Sequence, residues 1–173
     1  MDAMQNMITR RSVRQYKPDP IPRDVLEKIV EAGTWAATGM NKQAPIIIAV
    51  TNKEMRDRLS RMNAAVMGSS NDPFYGAPVV LIVLADKATA GTYLYDGSLV
   101  MGNLMLAAHA QGIASCWIHR AKQEFESEEG KAILRDLGIE GDFEGIGHCI
   151  LGYADGPEPA PKPRKENYVY WIE

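Results

Sequence analysis

Three guanidiniums and a hydroxyl fall within five residues at Arg10-Arg11-Ser12-Val13-Arg14. Arginine presents a planar fork of donors and does not lose its charge, so the group suits phosphate oxygens better than lysines would. The same run also fits a solvated helix end, with Arg10 and Arg11 steadying the negative pole of a short helix over Met4 to Thr9. A second basic group, Lys162-Pro163-Arg164, stands at the far end of the chain. Two clusters so distant in sequence can close around one phosphate.

Other chemistries find little support. Ser12 has no histidine nearby in sequence, and His109, His119 and His148 lack metal-ligand spacing, so neither a catalytic triad nor a metal site is expected. Cys116 and Cys149 sit in apolar, strand-like runs without a CxxC pattern and read as buried, reduced thiols. No GxGxxG or GxxxxGK(S/T) occurs, which removes the usual grounds for a Rossmann site or a P-loop. A net charge of -3 argues against a general nucleic-acid binder. Without a signal-peptide pattern, or an apolar run near the roughly 20 residues of a membrane span, a cytoplasmic protein with no membrane partner is expected.

Arg10-Arg11-Ser12-Val13-Arg14-Gln15-Tyr16 resembles the Arg-Arg-Ser-x-Arg-x-aromatic opening of the FMN-dependent nitroreductase family. Three further landmarks follow in that family's order. Ala37-Thr38-Gly39-Met40-Asn41-Lys42-Gln43 resembles its Pro-Ser-x-x-Asn-x-Gln loop, Gly112 to Ile118 its Gly-Leu-Gly-Ser-Cys-Trp-Ile strand, and Lys162-Pro163-Arg164 its Lys-x-Arg. The resemblance implies an α+β fold with a central mixed or antiparallel sheet flanked by helices, and a homodimer with an exchanged C-terminal segment. It implies FMN as cofactor, NADH or NADPH as electron donor and a small-molecule acceptor such as a nitroaromatic or quinone, reduced by a ping-pong mechanism. Arg10, Ser12, Arg14, Lys162 and Arg164 would hold the phosphate and nearby polar groups, with Arg11 a weaker candidate. Thr38, Gly39, Asn41 and Gln43 would reach the flavin from the other subunit. Cys116, Trp117, Ile118, His119 and Arg120 would line the ring, the main chain after Trp117 meeting its reactive edge. No side chain need be catalytic, because the flavin carries the chemistry.

The chain departs from the family pattern in two places. Gln43 is followed by Ala44-Pro45 rather than Pro-Trp, which bears on packing behind the loop. His119 and Arg120 stand where smaller or acidic residues are common, so Arg120 would favour anionic acceptors or the donor's phosphates. A non-enzymatic flavin carrier or redox sensor is the alternative from another class; an interaction protein with solvated basic ends is a third.

The elements that must position these residues are legible from periodicity. With 173 residues and 46% apolar content the chain supports one core and a single domain over 1–173. Val25, Leu26, Ile29, Val30 and Gly33 predict a helix from Pro22 to about Trp35, and Asn52 caps a second over Glu54 to Met67. Ile46 to Val50, Pro78 to Ala85, Ile113 to Ile118 and Gly145 to Tyr153 read as strands. Ser127 to Leu137 reads as a helix, and Gly68 to Gly76 as a lid loop. Thr92 to Gln111 predicts a central helix, uncharged from Leu99 to Ala108 and so covered by the domain on one side and by a second copy of the protein on the other, with Gly97 and Gly102 allowing close approach. Residues 154–173 form a proline-rich arm ending in a strand over Tyr168 to Ile172 that would pair with a partner's sheet.

Overall fold

The computed structural model describes residues 2–173. Helix α1 covers Ala3–Thr9, α2 Arg23–Thr34, strand β1 Pro45–Val50, α3 Lys53–Met67, β2 Val79–Asp86 and α4 Tyr93–Ala110. Then follow β3 Ala114–Ile118, α5 Ala121–Glu126, α6 Glu128–Asp136 and β4 Phe143–Gly152. The strands form one antiparallel sheet in the order β1-β2-β4-β3, giving an α+β fold.

The sheet has a core on each face, and β2 explains why. Side chains alternate along a strand, so an uninterrupted apolar run must bury both sides. Val80, Ile82 and Leu84 pack with Leu59, Phe74 and Ile133 on one face; Val79, Leu81 and Val83 pack with Ile29, Met101 and Leu104 on the other. Helices α3, α5 and α6 therefore cover one side, α2 and α4 the second.

Local signals account for the helix ends. Asn52 accepts the Met55 N–H at 2.8 Å and Gly68 closes α3 in the left-handed region with φ 66°. Ser127 caps α6 by accepting the Gly130 N–H at 3.1 Å. Gly97 lets α4 approach the sheet, since a Cβ there would lie 2.5 Å from Ile146 Cγ1. Gly102 meets no such neighbour within the chain.

Helix α5, of six residues, had no legible signal in the sequence. Helix α4 is covered by the domain on one side, and within one chain its other face is exposed, with Tyr95 at 73% and Leu99 at 51%. Residues 155–173 run exposed, and Tyr168 to Ile172 pairs with no strand of its own chain among the described residues.

Candidate functional site

Residues 10–17 are held in an extended course beside β3. The Val13 N–H donates to Ser115 O at 3.1 Å, and Lys17 N–H to Tyr153 O at 2.9 Å. Val13 and Tyr16 are buried, and the Tyr16 hydroxyl donates to Val13 O at 2.7 Å. Burial holds the Tyr16 phenol far above its ordinary range, so it stays a neutral donor. With Val13 turned into the core, Arg14 is left facing outward.

This course brings the two basic clusters together. A cleft of ≈ 720 Å³ has Arg10, Arg11, Ser12 and Arg14 on one wall and Lys162 and Arg164 on the other. No carboxylate lines it, and none of its cations is ion-paired among the described residues. The buried Arg10 Nη1 has no hydrogen-bond partner among the described residues. A buried donor of this kind normally finds an acceptor, so the cleft suits an anion. Arg11 differs from its neighbours: its Nη1 donates to Ile8 O at 2.8 Å and Arg10 O at 2.9 Å, capping the end of α1.

Arg14 also lines a second cleft, of ≈ 350 Å³, with Cys116, Trp117, Ile118, His119 and Arg120 at the end of β3. Its opposite wall is the 68–76 loop, through Asp72, Pro73 and Tyr75. That loop is pinned rather than free. Asp72 accepts from Arg56 Nη2 and Ser60 Oγ, each at 2.6 Å, and from the N–H groups of Phe74 and Gly76 at 2.9 and 2.7 Å. Burial would raise the Asp72 pKa, but these bonds outweigh it and hold the carboxyl below its usual range.

The side chain of Cys116 is buried in the core with Ile118 and Ile150 rather than displayed in the cleft. Arg120 lines the cleft, and its Nε donates to the amide oxygen Asn63 Oδ1 at 2.9 Å, which orients the side chain and leaves its charge unpaired among the described residues. Its φ of 81° is unusual for a side-chain-bearing residue.

Thr38, Gly39, Asn41 and Gln43 lie apart from the arginines within one chain. Thr38 and Gln43 line a separate hollow of ≈ 260 Å³ with Val30 and Val100. Buried Asp96 fixes this loop: it accepts the Gly39 N–H and the Thr92 hydroxyl, each at 3.0 Å. Met40, Asn41 and Gln43 all have positive φ, at 51°, 54° and 52°, a density of strain that belongs with functional loops. A further cleft of ≈ 340 Å³, between β1, α3 and α6, is walled largely by apolar side chains and contains no cation.

Sequence reasoning missed Asn63, Asp72, Asp96 and Glu124. A signal existed for Asn63: it lies one turn beyond Leu59, on the apolar stripe of α3, where a polar residue must find buried partners. Among the described residues no cluster of His, Cys, Asp and Glu could hold a metal, and no helix is long and apolar enough to cross a membrane.

The sequence and the fold have clear relatives. Residues 7–153 match the model of the nitroreductase family, and the chain belongs to that family. An NADH dehydrogenase/NAD(P)H nitroreductase of Archaeoglobus fulgidus is 30% identical over 171 residues, covering 96% of this chain and 90% of the relative. A protein of the same name from Methanothermobacter thermautotrophicus is 28% identical over 125 residues, or 68% of this chain; the match spans 60% of that relative, under two thirds of its length. The crystal structure of a nitroreductase with bound FMN from Bacteroides fragilis superposes with a TM-score of 0.89 at 29% identity, covering both chains completely.

Proposed function

We propose that the protein is an FMN-dependent oxidoreductase that takes electrons from NADH or NADPH and passes them to a nitroaromatic, quinone or similar small acceptor. The observation that carries this reading is the carboxylate-free cleft joining Arg10–Arg14 to Lys162 and Arg164, which shares Arg14 with the cleft at the end of β3. The family membership and the FMN-bound structural relative support it.

On this reading Arg10, Ser12, Arg14, Lys162 and Arg164 hold the phosphate by charge-assisted hydrogen bonds. The main chain of Ile118 to Arg120 meets the reactive edge of the ring, where an N–H group stabilises added electron density without a special side chain. Once bound, the flavin supplies electron transfer between nicotinamide and acceptor. Asp72 to Tyr75 border the space in which donor and acceptor alternate, which gives ping-pong kinetics. The strained Thr38–Gln43 loop completes the site of a second copy in a homodimer, consistent with the exposed Tyr95 and Leu99 face of α4.

The test is the visible spectrum of purified protein, followed by anaerobic NADH or NADPH. Flavin that bleaches, and recovers on adding a quinone or nitro compound, is the expected result. Bound flavin that resists both donors would favour a carrier or sensor, and failure to bind FMN would remove the reading. Light scattering tests the dimer independently.

A further inference from the structure

Behind the turn from β3 to α5 lies a buried polar cluster that the proposed reaction does not yet use. Asn63 of α3 is fully buried at 0% exposure. Its Nδ2 donates to His119 O at 2.8 Å and to Glu124 Oε1, and its Oδ1 accepts from Arg120 Nε at 2.9 Å. Glu124, 1% exposed, in turn places Oε2 3.2 Å from Nε2 of buried His148, close but not aligned for a hydrogen bond. The His148 ring leans on Phe74 beneath the 68–76 loop, with centroids 5.2 Å apart.

Every polar atom of the Asn63 side chain is thus committed to one turn. The partners are the carbonyl of His119, the side chain of Arg120 and the carboxylate that closes the first turn of α5. Such commitment explains how Arg120 is kept at φ 81°, a strained conformation that persists only where its surroundings over-determine it. It also fixes a peptide plane. In a trans peptide the N–H points opposite to the preceding C=O. With the His119 carbonyl drawn inward to Asn63, the Arg120 N–H is turned away from the interior, toward the cleft that both residues line. That N–H has no acceptor within the chain among the described residues.

We infer that Asn63 is a positioning residue: by holding the His119 carbonyl and Arg120 side chain, it aims the Arg120 N–H at the reactive edge of the bound ring. It touches neither ring nor substrate. The inference rests on the FMN reading above, and it adds a residue of α3, remote in sequence from every motif, to the site.

The decisive experiment replaces Asn63 with leucine, similar in size but without hydrogen-bonding groups, and measures four quantities. These are FMN affinity by fluorescence, the midpoint potential of the bound flavin, its anaerobic reduction rate by NADH or NADPH, and the melting temperature. The phosphate cleft is untouched, so FMN affinity should stay within about threefold, while reduction slows by about 10- to 100-fold and the potential falls. A purely structural Asn63 would lower the melting temperature and FMN occupancy but leave the potential and the reduction rate per bound flavin unchanged; that outcome overturns the inference. Should N63L not fold, isotope-labelled wild type decides: the Arg120 amide resonance should shift on adding FMN to apoprotein, and an unmoved resonance overturns it. If wild type itself fails to bind FMN, the functional reading falls first, so the two failures are separable.

Discussion

The Arg56 guanidinium, only 8% exposed, donates through Nη2 to Asp72 Oδ2 at 2.6 Å and through Nε to Ala77 O at 2.9 Å. One buried cation therefore grips both the middle and the exit of the 68–76 loop. Its guanidinium carbon also lies 5.5 Å from the centroid of the Phe74 ring, which is itself fully buried. The loop bordering the second cleft is a fixed wall whose shape is set from below.

Asp72→Ala should destabilise the fold by about 2 kcal/mol, since it strands a buried guanidinium but leaves Asp57 as a neighbouring counter-charge. Urea unfolding of the variant against wild type measures this. Because Tyr75 and Asp72 both line the cleft, the variant should also raise KM for acceptors more than it lowers FMN affinity.

Acid should weaken the same clamp. The Asp72 pKa is lowered on folding from its ordinary 3.8, so its stabilising contribution is fully present above that value and lost as pH falls through the folded one. Stability measured downward from about pH 5 should therefore fall more steeply in wild type than in Asp72→Asn, which has no proton to gain. Parallel curves would refute the assignment.

Arg14→Ala and Arg164→Ala should each weaken FMN binding by about 10- to 100-fold, the worth of a charge-assisted hydrogen bond. Arg11→Ala should do less to affinity and more to the end of α1, because its Nη1 is engaged by Ile8 and Arg10 carbonyls. Fluorescence titration with FMN ranks the three. Equal losses would mean that Arg11 reorients toward the anion.

Gly39→Ala should disturb the strained loop, because the new Cβ would lie 2.2 Å from Thr92 Oγ1 and 3.3 Å from its Cγ2. The expected loss is about 1–3 kcal/mol. Adding Thr92→Ala removes Oγ1 and Cγ2 and leaves only the Thr92 Cβ contact at 3.2 Å, so the double variant should regain part of it. Thermal melts of the single and double variants provide the check.

Cys149 is fully buried, and burial pushes its thiol pKa up to about 12, with nearby Cys116 adding to the rise. Neither free cysteine should react with a disulfide reagent at pH 8 until denaturant unfolds the chain. Rapid labelling in native buffer would contradict the packing of β3 and β4.

Much of the scaffold was legible because its signals are local. Asn52 and Ser127 announce helix starts, Gly68 an end, and the Val79–Leu84 run a strand buried on both faces. The basic clusters were legible as types, and their convergence was an expectation that the fold carries out. What stayed hidden depends on pairings with no fixed spacing. Asn63 finds Glu124 and His119 only after α3 packs against α5, and Asp96 finds Gly39 only across the second core. Helix α5 escaped notice because it is short and begins after a left-handed Arg120. At Tyr168 to Ile172 β propensity needs an edge within reach, and the extended arm meets none in its own chain among the described residues.

The joining of Arg10–Arg14 to Lys162 and Arg164 also sets an order of events during synthesis. A ribosome releases the first cluster before the sheet exists and the second only after β4 has been made, while the intervening domain folds as a unit. A nascent chain thus has no complete anion cleft at any earlier stage. On the proposed reading cofactor loading becomes a late step in maturation, since a chain interrupted before Lys162 lacks one wall of the cleft.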